Sequence, residues 1–117
     1  MKLKVLDYNH LNECFSGDQN TIVDFLHIFQ TSTTKDLSSL IEAIEEENGD
    51  TTKKVAHKLK SAYRYLCIEN LGEILEKIEK SGKMNLNKIE LKLLFEKGLE
   101  INKELTNDIN QILTENE

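Results

Sequence analysis

Not one proline interrupts this chain of 117 residues, and glycine occurs only five times. Proline inside a helix removes a backbone donor and clashes with the preceding turn, and glycine there carries an entropic penalty. With so few breakers, apolar residues that recur every three or four positions can run as long helices. Leu, Ile, Glu, Lys and Asn dominate the composition, so strong helix formers fill many of the surface positions. No segment alternates with period two over a useful length, and the sequence therefore predicts an all-α fold.

The punctuation that is present divides the chain into five pieces. Asp7 is placed to cap a short helix over residues 8–15, and Ser16-Gly17-Asp18 stops it and starts the next. A long segment then runs to Asn48, with Ile22, Phe25, Phe29, Leu37, Leu40, Ile41 and Ile44 at helical period and residues 31–34, Thr-Ser-Thr-Thr, as its weakest part. Glu45-Glu46-Glu47 reads as its solvated end, Gly49 as a C-terminal stop and Asp50 as the next N-cap. A third helix is predicted over 51–66 and a fourth over 69–81, ending at Ser81-Gly82. The last begins near Asn85 or Asn87, where Glu90 completes a capping-box spacing, and runs to about residue 113. Gly98 falls within its apolar stripe and would let a neighbouring helix come close. Four amphipathic helices on short connections, after a short first one, imply an antiparallel up-down-up-down four-helix bundle with a short extra N-terminal helix. Residues 1–117 read as a single bundle domain, without repeats or a low-complexity linker.

Several function classes are disfavoured at once. A formal charge of −6 opposes general nucleic-acid binding, which needs a positive field over the phosphates. No window approaches the roughly 18 apolar residues of a membrane span, and the N-terminus lacks the apolar core of a signal peptide. Cys14 and Cys67 are far apart and belong to no CxxC pair, so they predict reduced thiols rather than a zinc site or a disulfide. A cytoplasmic protein without a metal site is expected.

Residues 51–66 carry the unusual face. On a helical wheel Val55, Leu59, Ala62 and Leu66 form one narrow seam, and His57 falls almost opposite it. Lys60 lies one turn after His57 and Arg64 two turns after, within a cluster that also holds Lys53, Lys54 and Lys58. An imidazole projecting into water titrates near pH 6.5, so much of it is neutral at neutral pH, with a ring nitrogen available for attack. A lysine at i+3 can offset the charge of a phosphoryl group, and the small Ser61 at i+4 leaves room for a partner's backbone. Exposed histidines and solvated basic faces are common, and this spacing alone does not separate them from a site. So much positive charge on one helix of an acidic chain nevertheless suits a partner with an acidic site. His10 and His27 have no such setting and read as surface or boundary residues.

The run Ala56-His57-Lys58-Leu59-Lys60-Ser61-Ala62, followed by Leu66, Leu71, Leu75, Ile78 and Glu79, resembles the signature of histidine-containing phosphotransfer (HPt) domains. That pattern is Ala-His-x-Leu-Lys-Gly-Ser/Ala, then an apolar residue and glycine, then spaced apolar positions ending in Leu-Glu. Gly17-Asp18 and Gly49-Asp50 also fall where the family tends to place them, and the resemblance spans roughly residues 7–105. Two positions depart: Ser61 and Cys67 stand where the family has glycine. The first bears on a partner's fit, the second on backbone geometry at a helix end.

The resemblance implies a four-helix bundle that accepts phosphate on His57 from a receiver-domain aspartate and passes it to another receiver, with Lys60 assisting. Ser61, Arg64, Lys53 and Lys58 are the expected partner-binding residues. No Gly-rich phosphate loop or kinase motif is present, so a phosphocarrier without ATP-binding or autonomous catalytic activity is expected. It would need no cofactor of its own, magnesium being supplied by the receiver, and would act as a monomer. The initial methionine favours a free-standing protein over a segment of a hybrid kinase. The alternatives are a helical interaction module of the same fold that docks on a receiver or kinase without phosphotransfer, and a small nucleic-acid-binding bundle.

Overall fold

The computed structural model describes residues 2–116 and is helical throughout its regular structure. The helices are α1 (Tyr8–Cys14), α2 (Gln19–Glu45), α3 (Gly49–Tyr65), α4 (Glu69–Glu79) and α5 (Lys88–Glu115). Among the described residues there is no strand. Asp7, Asp18 and Asn87 cap α1, α2 and α5 as the sequence suggests, each carboxylate or amide oxygen accepting a first-turn backbone N–H. The α2–α3 boundary differs from the expected one. Glu47, with φ +55°, is the left-handed residue after α2, Asn48 is the N-cap of α3, and Gly49 is already helical. The amide oxygen of Asn48 accepts from Thr51 N at 3.1 Å, which settles the start, and Asp50 becomes a first-turn acid facing the helix dipole.

The threonine-rich stretch does not break α2. Thr31 and Thr33 donate their hydroxyls to the carbonyls of His27 and Phe29, at 3.0 and 2.7 Å, and so are satisfied without leaving helical geometry. Cross-helix pairs set the directions of the bundle. Asp36 and Phe25 of α2 meet Lys58 and Tyr65 of α3, so α2 and α3 are antiparallel. His57 and Arg64 meet Glu79 and Glu76, so α4 returns along α3, and Lys88 at Glu45 with Asn110 at Gln30 runs α5 back along α2. The four long helices close a ring in which α3 lies beside α2 and α4 and diagonally opposite α5. The molecule measures 44 × 21 × 20 Å, its length matching the roughly 42 Å of a 28-residue helix.

The core runs the length of this ring, from Leu11, Ile22 and Leu26 through Leu59, Tyr63 and Leu71 to Ile44 and Ile78. Residues 4–6 lie on α5, where the buried Asp108 carboxylate accepts the backbone N–H groups of Lys4, Val5 and Leu6 at 2.7–3.1 Å. Gly98 packs against Leu71 and Ile74 of α4, but an added Cβ would make only ordinary contacts of 3.6 Å. The helices therefore do not depend on glycine there. Among the described residues no helix is long and apolar enough to cross a membrane.

Candidate functional site

A bundle helix packs along its widest apolar arc, and in α3 that arc differs from the expected seam. Thr52, Ala56, Leu59, Tyr63 and Leu66 are buried, whereas Val55 and Ala62 are only half-buried. The buried centre is rotated by roughly 50° on the wheel, toward α4. Tyr63 makes this possible: its phenol donates to the side-chain oxygen of Asn102 on α5 at 2.8 Å, so the ring can enter the core. Burial also drives the phenol's pKa upward, and the nearby charge of Asp36 adds to that.

The rotation separates the basic residues into different roles. His57 keeps 61% of its side chain exposed, while Lys60 falls at the flank with 14%. Both converge on Glu79 of α4. The Nδ1 of His57 lies 2.9 Å from Oε2 of Glu79, and the Lys60 ammonium lies 2.7 Å from Oε1. The lysine is at ion-pair distance from Oε1 but off the ordinary hydrogen-bonding direction. Burial pushes the Glu79 carboxyl up, but the contacts with Lys60 and His57 outweigh it and hold the group below its ordinary 4.5. Glu79 is therefore ionised at neutral pH. An ionised carboxylate only accepts, so the proton of a neutral His57 sits on Nδ1 and the Nε2 lone pair is left outside.

Arg64 does something else. It lies across Gly72 of α4, so close that a Cβ there would sit 2.7 Å from Nε and 2.8 Å from Cγ. Its guanidinium donates to Glu76 at 3.4 Å and lies 3.6 Å from Glu69, and no hydrogen bond or ion pair links it to the His57 cluster. Lys58 pairs with Asp36 of α2 at 3.2 Å, Ser61 is exposed one turn beyond His57, and Lys53 is exposed one turn before it. The structure thus brings His57 and Lys60 together, leaves Ser61, Lys53 and Lys58 on the open face, and draws Arg64 toward α4.

Glu79 is the residue whose part was not read from the sequence, where it only closed the apolar pattern. The signal was there in the spacing. Glu79 lies as far after Ile68, the N-cap of α4, as His57 lies before it, so an antiparallel return sets the two level. Cys67 holds φ +60°, the left-handed conformation glycine adopts without strain, so the turn keeps its geometry with a cysteine in place.

The family model for the Hpt domain matches residues 24–115, from within α2 to the last residue of α5. No curated protein and no solved structure matches the chain.

Proposed function

The chain belongs to the Hpt domain family, and on that premise we propose that it accepts a phosphoryl group on His57 from a receiver-domain aspartate and passes it to another receiver. The Hpt domain is a phosphocarrier module of phosphorelays rather than a catalytic domain. The observation that carries the assignment to His57 is its pairing with Glu79: Nδ1 is held at 2.9 Å while the ring stays open to solvent.

The step follows from that geometry. Nε2 attacks the phosphorus of the partner's aspartyl phosphate in line, the new P–N bond forms, and the P–O bond to the aspartate breaks. The aspartate leaves as a carboxylate. No proton need be removed, because the neutral ring presents a lone pair and keeps its hydrogen on Nδ1. The ring becomes cationic, and Glu79, already in contact with Nδ1, stabilises that charge as it develops. Lys60 stands on the same carboxylate and can swing its ammonium toward the transferred group. Magnesium and most of the remaining electrostatic stabilisation would come from the receiver.

Docking falls to the open face of α3. Lys53 and Lys58 meet an acidic rim, and Ser61 admits close backbone approach. Tyr65, exposed two turns beyond His57, and Ile28 on the adjoining part of α2 add apolar contact. Arg64 would contribute by holding α4 in place, or by leaving Glu76 for the partner on docking.

The test is transfer of label from a phosphorylated receiver domain. Wild-type protein should gain base-stable, acid-labile phosphate, and His57→Gln should gain none. Label retained by His57→Gln would overturn the assignment. Receiver binding without any transfer by the wild-type protein would leave the docking-module reading in its place.

A further inference from the structure

A phosphoryl group on Nε2 of His57 brings up to two negative charges to the open face of α3, and the cations near the ring are not equally free to meet them. Lys60 can reach that group only by releasing Glu79. Its ammonium lies 2.7 Å from Oε1, its side chain is 14% exposed, and Oε1 itself is buried from solvent. Departure of Lys60 would strand a buried carboxylate oxygen, which is costly. Arg64 is turned to Glu76 and Glu69 of α4, and Lys58 to Asp36 of α2.

Lys53 and Lys54, one turn before His57, are exposed and join no ion pair among the described residues. Direction favours this turn. Side chains on a helix lean toward its N-terminus, so the His57 ring leans over the turn that carries residues 53 and 54. Residues four apart have Cβ atoms about 5–6 Å from each other, within the span of a lysine. The two lysines then separate by side. Lys53 borders the same cavity as Glu79, which places it toward α4, where Nδ1 is anchored. Lys54 falls about 100° further round the wheel, on the side where Lys58 meets Asp36. Asp50 and Glu47 border that cavity too, but neither lies within ion-pair distance of Lys53, and a single carboxylate competes weakly with a phosphoryl dianion.

Resting on the phosphocarrier reading of His57, we propose that Lys53 is the counter-ion of the phosphorylated state. While the phosphoryl group sits on Nε2, the Lys53 ammonium pairs with its oxygens and Lys60 stays on Glu79. The division follows from what each lysine gives up: Lys53 exchanges only water, whereas Lys60 would abandon a buried oxygen. Residue 53 lies before the run 56–62 that carries the family signature, so that pattern does not reveal the role.

The full chain and its variants can be phosphorylated with potassium phosphoramidate, which passes its phosphoryl group to Nε2 as ammonia leaves. No receiver is present, so docking does not enter. The phosphorus resonance of phosphorylated His57 is identified by its absence from His57→Gln, and its pH titration at low salt reads the charge beside it. Lys53→Gln should raise the titration midpoint by about 0.5, since removing a cation about 5 Å away in water favours protonation of the group. Lys53→Arg should keep the wild-type midpoint, and Lys54→Gln and Lys60→Gln should each move it by less than half as much. Phosphorylation should shift the Nζ resonance of Lys53 and leave that of Lys60 in place. A midpoint that ignores Lys53→Gln, a larger shift from Lys60→Gln, or movement of the Lys60 resonance in place of Lys53's would overturn the inference and leave the carrier reading standing. If His57→Gln loses no phosphorus resonance, the carrier reading falls, and this inference with it.

Discussion

Two carboxylates each gather several donors in this bundle, Asp108 on α5 and Glu79 on α4, and the donors differ in kind. Asp108, 3% exposed, takes three consecutive backbone N–H groups from residues 4–6. Glu79 takes an imidazole and an ammonium group, both carried by flexible side chains. A backbone donor cannot leave unless its whole segment lifts away. A side-chain donor can rotate out and be replaced by water or by a phosphoryl oxygen. The first arrangement suits holding a chain terminus, and the second suits a site whose contacts must change during a reaction.

The largest effect expected from this contrast is on stability at Asp108. Asp108→Ala strips the acceptor from three N–H groups and should cost about 3 kcal/mol, read as a shift in the urea midpoint with an unchanged slope. The folded fraction should still take up label on His57. Loss of labelling in folded Asp108→Ala would break the comparison, because it would make the clamp part of the reaction.

Glu79→Gln should do the reverse. It should slow transfer about tenfold, the lower end of what removing an outer partner of a reactive histidine costs. Stability should change by less than about 1 kcal/mol, since the donors can turn to solvent. Glutamine can also present an N–H to Nδ1, so the histidine tautomers should mix, which nitrogen NMR of His57 reads independently of rate. A slower variant with an unchanged tautomer ratio would show that Glu79 acts through packing alone.

Two glycines sharpen the contrast between the helices. Gly72→Ala on α4 should destabilise by about 1 kcal/mol despite alanine's better helix propensity, because the new Cβ displaces Arg64 from Glu76. Gly98→Ala on α5 should stabilise by roughly 0.5–1 kcal/mol, since its Cβ meets only ordinary contacts. The smallest effect concerns acid. Glu79's carboxyl lies below its ordinary 4.5 in the folded protein, so its contribution is complete above that pH. It is lost as pH falls through the lowered value, and Glu79→Gln should flatten that part of the stability profile.

Much of the bundle could be read from the residues because helix caps and apolar period are local properties. Asp7, Asp18 and Asn87 cap as their side-chain chemistry suggests, and the four long segments appear close to their expected bounds. The turn at 46–50 was misread because two residues there can cap. Gly49 looks like a stop, yet Asn48 supplies the oxygen that Thr51 N needs. The seam of α3 was misread for a different reason. The expected seam of Val55, Leu59, Ala62 and Leu66 does not include Tyr63, whose phenol is satisfied in the core by Asn102 on another helix. That error moved Lys60 too far into solvent and left Arg64 without its seat on Gly72.

By itself the sequence determined that this chain is helical, where most of its helices begin and end, and that His57 projects from the third of them. Those outcomes depend on contacts within a few residues, which backbone geometry repeats wherever the same pattern occurs. Tertiary structure decided what His57 touches. The antiparallel return of α4 brings Glu79 level with it and sends Lys60 to the same carboxylate. The equal spacing about Ile68 sets the two residues level once α4 turns back, but how closely the helices pack, and so whether the side chains touch, is not contained in a pattern read along the chain.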